Sequence, residues 1–336
     1  MATLYVWYLL VQVLPGLQTL SGGIKMAEKR IGAVFPGQGS QYVGMGKDFY
    51  QNYEYVREIF DTGSKICGFD IAKICFEGPM EKLTDTEICQ ICVFAVSFSA
   101  WKVFQQHYCF VPCFVAGHSL GEYTAFTVAE AFSLKDAFFI IYQRAKFMKQ
   151  AAMKNPGTMV AVLGKSVDEV EKMLEEFDDV YISNINGQAQ IVVGGSIQGM
   201  NQFVIWCREN GVKIIPLNVS GAFHTPLMKD ARCLLENEID KLDISDCKIP
   251  VYTNWDGKIT YHAEQIKNAL KKQIVCSVQW LKIVESINNS VDMIIEFGPK
   301  KVLSGLVKKI LPEMVVSNVE DIDSLNKTIE VMKLLT

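Results

Sequence analysis

Buried strands and helices alternate along the first part of the chain. The apolar run Ile31–Phe35 predicts a short buried strand, and the proline and glycines of "FPGQGSQ" after it indicate a loop. Helices are predicted at "YEYVREIFDTGSKI", "CVFAVSFSAWKVFQQHY", "SLGEYTAFTVAEAF" and "LKDAFFIIYQRAKFMKQAAM", and a second buried strand at "FVPCFVAG". Strand, turn and helix in this order are typical of a parallel α/β sheet.

The order of elements changes after Asn155. Strand and helix patterns follow as "TMVAVLG", "SVDEVEKMLEEF", "VYISNIN", "AQIVVGG", "IQGMNQFVIWCRENG" and "VKIIPLNV". This βαββαβ order is typical of a ferredoxin-like subdomain. Strands at "IPVYTN" and "VDMIIEFG" and a helix at "KKVLSGLVKKIL" are then expected to rejoin the first unit. The predicted fold is α/β: an α/β-hydrolase-like core with a parallel sheet (27–152 and 221–336) that carries a ferredoxin-like subdomain (153–220).

The composition limits the function classes. The chain has 336 residues, of which 49% are hydrophobic and 21% charged, so it can bury a sizeable core. Its formal net charge of -4, without a basic block, argues against a nucleic-acid partner. The cysteines are scattered, and the one cluster (Cys89, Cys92, Cys109 and Cys113) begins inside a long apolar segment. This favours free thiols in a reducing cytoplasm over a zinc site.

The N-terminal segment differs from the rest of the chain. Residues 1–25 contain one charged residue, Lys25, and an apolar run interrupted by Pro15. This fits neither a signal peptide, nor a transit peptide, nor a membrane span of about 20 apolar residues. Codons for "GGIKM" can contain a purine-rich ribosome-binding sequence, so we expect translation to start at Met26 and residues 1–26 to lie outside the fold. A weak membrane-targeting leader is the alternative.

One serine between two glycines has the surroundings of a nucleophile. The stretch "GHSLG" matches G-x-S-x-G between a predicted strand and a predicted helix, the context in which this turn exposes the hydroxyl of Ser119. A serine hydroxyl is a weak nucleophile unless a nearby base removes its proton. Of the four histidines we favour His224, because it follows a predicted strand at the junction of the two units, where a cleft is expected. A serine in an ordinary tight turn and a core or helix-capping histidine are the alternatives.

Three further residues suit acyl transfer. The backbone N–H of Leu120 begins the helix after the serine and can face a developing oxyanion, and Gln38 in the glycine-rich loop is the candidate for the second donor. A phosphate-binding loop is the alternative for Gln38, although the P-loop lysine is missing. Arg144 lies among apolar residues in "IIYQRAKF", which favours a guanidinium that binds a carboxylate over a solvated surface charge. The acyl group would then be acidic.

Six motifs together resemble the malonyl-CoA:acyl carrier protein transacylases of bacterial fatty acid synthesis and the related acyltransferase domains of polyketide synthases. They are "FPGQGSQYVGMG", "AGHSLGEYTA", "QRAKFM", "SGAFHTPLM", "VQW" and "EFGPKKVLSGL", and they span nearly the whole chain after residue 30. The resemblance implies that Ser119 is acylated, with His224 as its base. It also implies that Leu120 and Gln38 donate backbone N–H groups to the oxyanion and that Arg144 binds the malonyl carboxylate.

The resemblance also implies the rest of the site. Gln279, in "SVQW", matches the position whose backbone carbonyl orients the histidine. Asn184 and Asn186, in "SNIN", and Gln90 match residues of the cleft. The chain departs from the family after Gln90, where "IC" replaces the usual proline and alanine.

Acyl selectivity follows from two further matches. In the related polyketide domains, a phenylalanine before the histidine and an aliphatic residue after the serine go with malonyl rather than methylmalonyl. Phe223 and Leu120 stand at these positions.

The implied reaction is a ping-pong transfer. The serine attacks malonyl-CoA, coenzyme A leaves, and the phosphopantetheine thiol of an acyl carrier protein takes the malonyl group. No metal or redox cofactor is implied, and the enzyme is expected to be a cytoplasmic monomer without stable membrane association. A serine esterase and a catalytically silent carrier-binding module are the alternatives. The sequence leaves open whether the carrier serves fatty acid or polyketide synthesis.

Overall fold

The computed structural model describes residues 29–335. The predicted leader, and with it the alternative of a targeting segment, lies outside the described residues.

Ten strands and fourteen α-helices form the described part of the chain. The strands are β1 (Ile31–Phe35), β2 (Phe114–Gly117), β3 (Gly157–Leu163), β4 (Val180–Gly187), β5 (Gln190–Ser196), β6 (Lys213–Pro216), β7 (Val251–Tyr252), β8 (Ile259–Thr260), β9 (Met293–Phe297) and β10 (Val315–Val319). The helices are α1 (Lys47–Asn52), α2 (Glu54–Cys67), α3 (Ile71–Glu77), α4 (Met80–Thr84), α5 (Thr86–His107), α6 (Leu120–Val128), α7 (Leu134–Lys154), α8 (Val167–Leu174), α9 (Ile197–Glu209), α10 (Lys229–Lys241), α11 (Ala263–Gln273), α12 (Trp280–Ser286), α13 (Val302–Ile310) and α14 (Ile322–Leu335).

The larger sheet has six strands in the order β10-β9-β1-β2-β7-β8, and all neighbours are parallel except β7 and β8. Every residue of β1, β2 and β9 is buried, as expected for a parallel sheet covered by helices on both faces. Phe35 in β1 pairs with Gly117 in β2, so the two strands end at the same level. The loops after β1, β2 and β7 therefore meet at one edge, where open α/β sheets bind their ligands.

The smaller sheet has four antiparallel strands in the order β4-β5-β3-β6. With α8 and α9 between its strands it has the βαββαβ order of a ferredoxin-like unit. The predicted fold class, a parallel-rich sheet with a separate antiparallel one, is confirmed. The small sheet joins the large unit through the segment before α12, where the N–H of Ile185 in β4 donates to the carbonyl of Val278 at 2.9 Å.

Some elements differ from the sequence prediction. The strand predicted from "FVPCFVAG" begins only at Phe114, after the proline that cannot donate to a sheet. Strand β10 is not predicted, since it is an edge strand whose first three residues are only partly buried and whose pattern is weak.

Helix α5 has the length and composition of a membrane span. It has 22 residues, and 78% of its most apolar window is buried inside the protein. It packs against α6 and α7, and it also contacts β9. Helix α5 is therefore packed inside the core of the large unit.

Candidate active site

The serine lies in a strained turn between β2 and α6. Ser119 has φ 53° and ψ -106°, a positive-φ conformation that is uncommon for residues with a Cβ. Its neighbours must be small here, because a Cβ on Gly117 would lie 1.9 Å from the carbonyl carbon of Gly121. The turn places the Ser119 side chain at the sheet edge, as the G-x-S-x-G pattern predicts.

We expect Gly121→Ala to lower the free energy of unfolding by about 3 kcal/mol or more. An added Cβ would lie 2.0 Å from the backbone oxygen of Phe35, and neither backbone can move without disturbing the sheet. Urea denaturation measures the change. Gly305→Ala is the matched control: this helical glycine has nothing within 4 Å of an added Cβ and should gain about 1 kcal/mol. Equal effects of the two substitutions would contradict the close approach of helix and strand.

Asn254 fixes the turn from the neighbouring strand. It follows β7, which lies beside β2, and it is fully buried. Its Oδ1 accepts the N–H of Ser119 at 2.6 Å, and its Nδ2 donates to the carbonyl of Gly117 at 2.6 Å. Asn254 was not predicted from the sequence, although a polar side chain directly after a predicted strand at the same sheet edge is a usable signal.

His224 is placed to accept the proton of the serine. Its Nε2 lies 2.7 Å from Ser119 Oγ, and its Nδ1 lies 2.8 Å from the backbone carbonyl of Gln273. Since a carbonyl can only accept, Nδ1 carries the proton and Nε2 carries the lone pair. Burial and the charge of Arg144 lower the pKa of His224 to about 3, so the ring is neutral near pH 7. The arrangement can therefore move a proton from the serine to the histidine.

The carbonyl that orients the histidine belongs to Gln273, and the prediction of Gln279 is wrong in this respect. Gln273 is the last residue of α11, and the final carbonyls of a helix have no intrahelical partner. The carbonyl of Gln279 already accepts the N–H of Ile283 in α12. Every residue type has a backbone carbonyl, so the sequence could not distinguish Gln273 from Gln279 as the acceptor.

Arg144 is buried beside the serine without an opposite charge in contact. It is 1% exposed, and its guanidinium lies over the ring of Tyr123, 5.2 Å from the centroid. It donates to Gln90 Oε1 at 2.5 Å, Ser119 Oγ at 2.9 Å and Gln273 Oε1 at 3.0 Å. Within residues 29–335, no carboxylate forms a salt bridge with it. Such a cation can bind an acidic group that enters the site.

A cavity of about 270 Å³ contains the serine, the histidine and the arginine. The predicted residues that line it are Gln38, Gln90, Leu120, Asn184, Asn186 and Phe223. Asn186 Oδ1 lies 2.8 Å from Nε2 of His118, so His118 contacts the small sheet and not the serine. Gln279 lines a separate cavity.

The predicted oxyanion donors lie on adjacent segments. Leu120 is the first residue of α6, where a backbone N–H has no acceptor within the helix. A Cβ on Gly37 would lie 3.7 Å from the backbone nitrogen of Leu120, so the loop that carries Gln38 lies against the turn. The side chain of Gln38 is held separately, through Nε2 to Thr86 Oγ1 at 3.3 Å. The two N–H groups stay predicted donors.

The cysteines of the predicted cluster are free thiols. No group of three or more histidine, cysteine or carboxylate side chains among residues 29–335 could hold a metal ion. Cys89 and Cys92 are buried free thiols in α5, and Cys109 and Cys113 are exposed free thiols after it.

Comparison with known proteins identifies the family. Residues 33–326 match the model of the acyl transferase domain. A malonyl CoA-acyl carrier protein transacylase of Bacillus subtilis is 36% identical over 310 residues, which cover 90% of this chain and 98% of that protein. One of Escherichia coli K12 is 34% identical over 302 residues, which cover 88% of this chain and 98% of that protein.

Solved structures agree with this assignment. An acyl-carrier-protein S-malonyltransferase of Burkholderia pseudomallei has a TM-score of 0.86 and 36% identity, with 90% of this chain and 99% of that chain covered. A malonyl transacylase solved in complex with its type II polyketide synthase acyl carrier protein has a TM-score of 0.86 and 32% identity, with 90% and 99% covered. Together with the serine, histidine and arginine in one cavity, these matches show that the chain belongs to the malonyl-CoA:acyl carrier protein transacylase family of acyltransferases.

Proposed function

We propose that the enzyme transfers the malonyl group from malonyl-CoA to the phosphopantetheine thiol of an acyl carrier protein through a malonyl ester on Ser119. The observation that carries the proposal is the placement of Arg144. A buried guanidinium with only neutral contacts lies 2.9 Å from the oxygen of Ser119, which is itself 2.7 Å from His224. An acyl group on the serine would bring its free carboxylate to that cation.

In the first half-reaction Ser119 Oγ attacks the thioester carbonyl while its proton passes to Nε2 of His224. The negative charge that develops on the carbonyl oxygen is stabilised by the backbone N–H groups of Leu120 and Gln38. The carbon–sulfur bond then breaks, and the leaving thiolate takes the proton from Nε2. The products are free coenzyme A and the malonyl-serine ester.

In the second half-reaction the phosphopantetheine thiol gives its proton to Nε2 of His224 and attacks the ester. The carbon–oxygen bond to Ser119 breaks, and the serine oxygen recovers the proton. The carbonyl of Gln273 keeps the proton on Nδ1 throughout. It thus takes the orienting role that an aspartate side chain has in a Ser-His-Asp triad, and the catalytic side chains are the pair Ser119 and His224. The chain supplies every group in these steps, and we propose no metal or redox cofactor.

Two apolar side chains support selectivity for malonyl. Phe223 is 6% exposed and Leu120 is 1% exposed, and both line the cavity beside the histidine and the serine. A methyl branch on the acyl group would meet these packed side chains, where added volume is costly. We propose that methylmalonyl is a poorer substrate for this reason.

We propose that the enzyme acts as a monomer in the cytoplasm, without stable membrane association, and that residues 153–220 are its small subdomain. The carrier of fatty acid synthesis and that of a type II polyketide synthase are both candidates, because one relative is a malonyl CoA-acyl carrier protein transacylase without a stated pathway and another was solved with a type II polyketide synthase carrier.

Initial rates with both substrates varied test the acyl-enzyme route. We expect parallel lines in double-reciprocal plots of malonyl-CoA at several fixed carrier concentrations, because coenzyme A leaves before the carrier thiol reacts. Intersecting lines would contradict the ester intermediate. Turnover of simple esters by water, unaffected by the carrier, would favour an esterase, and no turnover would favour a silent binding module.

A further inference from the structure

A buried carboxylate that the proposed reaction does not use lies next to the site. Glu122, in the first turn of α6, is 0% exposed. Its Oε1 accepts the backbone N–H of Asn254 at 3.1 Å, and its Oε2 accepts a hydrogen bond from Nε2 of Gln273. These two partners are the residues that hold the backbone of Ser119 and the ring of His224.

The side chain of Gln273 connects this carboxylate to the arginine. Its Nε2 donates to Glu122 and to the backbone carbonyl of Ser119, the latter at 2.8 Å, while its Oε1 accepts from Arg144 at 3.0 Å. A glutamine amide has one donor end and one acceptor end, so its orientation decides which of them Arg144 meets. An ionised carboxylate can only accept. Glu122 therefore keeps the donor end toward itself and the acceptor end toward the arginine.

We propose that Glu122, as a carboxylate, is a positioning residue for malonyl recognition: it holds the Gln273 amide in one orientation and thereby keeps Arg144 directed at the acyl group on Ser119. The inference rests on the proposed function. It assigns no contact between Glu122 and the substrate.

Substitution by glutamine shows why the charge state matters. In Glu122→Gln one end of the new amide must accept from the N–H of Asn254, which turns its donor end toward Nε2 of Gln273. Two donors then face each other, and the Gln273 amide can relieve this only by rotating, which breaks its hydrogen bond to the backbone carbonyl of Ser119. Its Nε2 then faces Arg144, again donor to donor, and the arginine loses a partner that fixed it.

Protonation of Glu122 has the same effect as the substitution, because the added O–H faces one of two donors. The groups around the carboxylate are Arg144 from α7, Asp256 after β7, Tyr123 on its own helix and the neutral amides of Gln273 and Asn254. Burial raises the pKa of Glu122 to about 7, against the opposing effect of its hydrogen bonds and of Arg144. Malonyl recognition should thus weaken as the pH falls through neutrality. The histidine does not contribute there, because its pKa is lowered to about 3.

The test compares kcat/KM for malonyl-CoA and acetyl-CoA, with saturating carrier protein, from about pH 5.5 to about pH 8.5. For the native enzyme, kcat/KM for malonyl-CoA should fall as the pH is lowered, with a midpoint near pH 7; we call this fall the acid limb. Glu122→Gln should lower the malonyl value at the alkaline end by about tenfold or more, affect acetyl transfer less, and have no acid limb. Glu122→Asp keeps an acceptor-only group and should keep the limb.

Glu296→Gln is the matched control. Glu296 is also a fully buried carboxylate that accepts backbone N–H groups, those of Leu303 and Ser304, and it contacts none of Ser119, His224 and Arg144. This variant should lose thermal stability and keep both the acid limb and the preference for malonyl.

Two results would overturn the inference. One is an acid limb that persists in Glu122→Gln; the other is an equal loss of malonyl and acetyl transfer in that variant. A native enzyme that transfers no malonyl group would overturn the proposed function, and the inference with it, so the two failures are distinguishable.

Discussion

Replacing Ser119 with alanine is expected to lower kcat/KM for malonyl transfer by about 10⁴-fold or more. The substitution removes the atom of the enzyme that the proposed reaction acylates, and in the first half-reaction it leaves His224 without a proton to accept. The turn itself should survive, since the side chain of Asn254 bonds only to its backbone, at the N–H of Ser119 and the carbonyl of Gly117. Thermal unfolding checks that the variant is folded.

A double variant makes this prediction sharper. His224→Ala alone should cost nearly as much as Ser119→Ala, and the double variant should be little worse than either, because the two residues act as one unit. Ser290→Ala, at an exposed serine after α12, is the control and should leave the rate unchanged. If the two single losses multiplied in the double variant, the serine and the histidine would act independently, contrary to the mechanism.

Arg144→Ala is expected to lower malonyl transfer by about a hundredfold or more while acetyl transfer falls much less. The guanidinium is buried and its hydrogen-bond partners Gln90, Ser119 and Gln273 are neutral, so the incoming carboxylate is expected to be the first anion in direct contact with it. Acetyl has no carboxylate and gains nothing from the cation. Measurement of kcat/KM for both thioesters gives the ratio.

Two further substitutions control for side effects. Arg144→Lys keeps a charge but not the forked geometry of two N–H groups, so its malonyl preference should lie between those of the native enzyme and Arg144→Ala. Arg208→Ala, at an exposed arginine in α9, should change neither rate. Equal losses of malonyl and acetyl transfer in Arg144→Ala would refute the role of the arginine as a carboxylate clamp.

Local patterns in the sequence predicted much of this molecule. The fold class follows from hydrophobic runs punctuated by glycine and proline, and the turn around Ser119 follows from two glycines at fixed spacing between a strand and a helix. Arg144 was recognisable because a charged residue among apolar neighbours in a helix must find a polar partner. These features depend on residues close together in the chain, where the pattern itself carries the information.

The parts that the sequence did not predict depend on long-range backbone contacts. Gln273 orients the histidine through its carbonyl, which every residue type has, and the choice between it and Gln279 is made by where α11 ends. Glu122 was not singled out, since its partners Asn254 and Gln273 lie 132 and 151 residues away. Such contacts become visible only when the strands and helices have been placed.

Mass spectrometry shows directly whether a malonyl group rests on Ser119 between the two half-reactions. The enzyme is incubated with malonyl-CoA, and the intact protein and its peptides are weighed before and after addition of phosphopantetheinylated acyl carrier protein. We expect one malonyl mass on the peptide that contains Ser119, absent from Ser119→Ala and removed by the carrier. No adduct, an adduct on another residue, or an adduct that water removes as fast as the carrier does would contradict it.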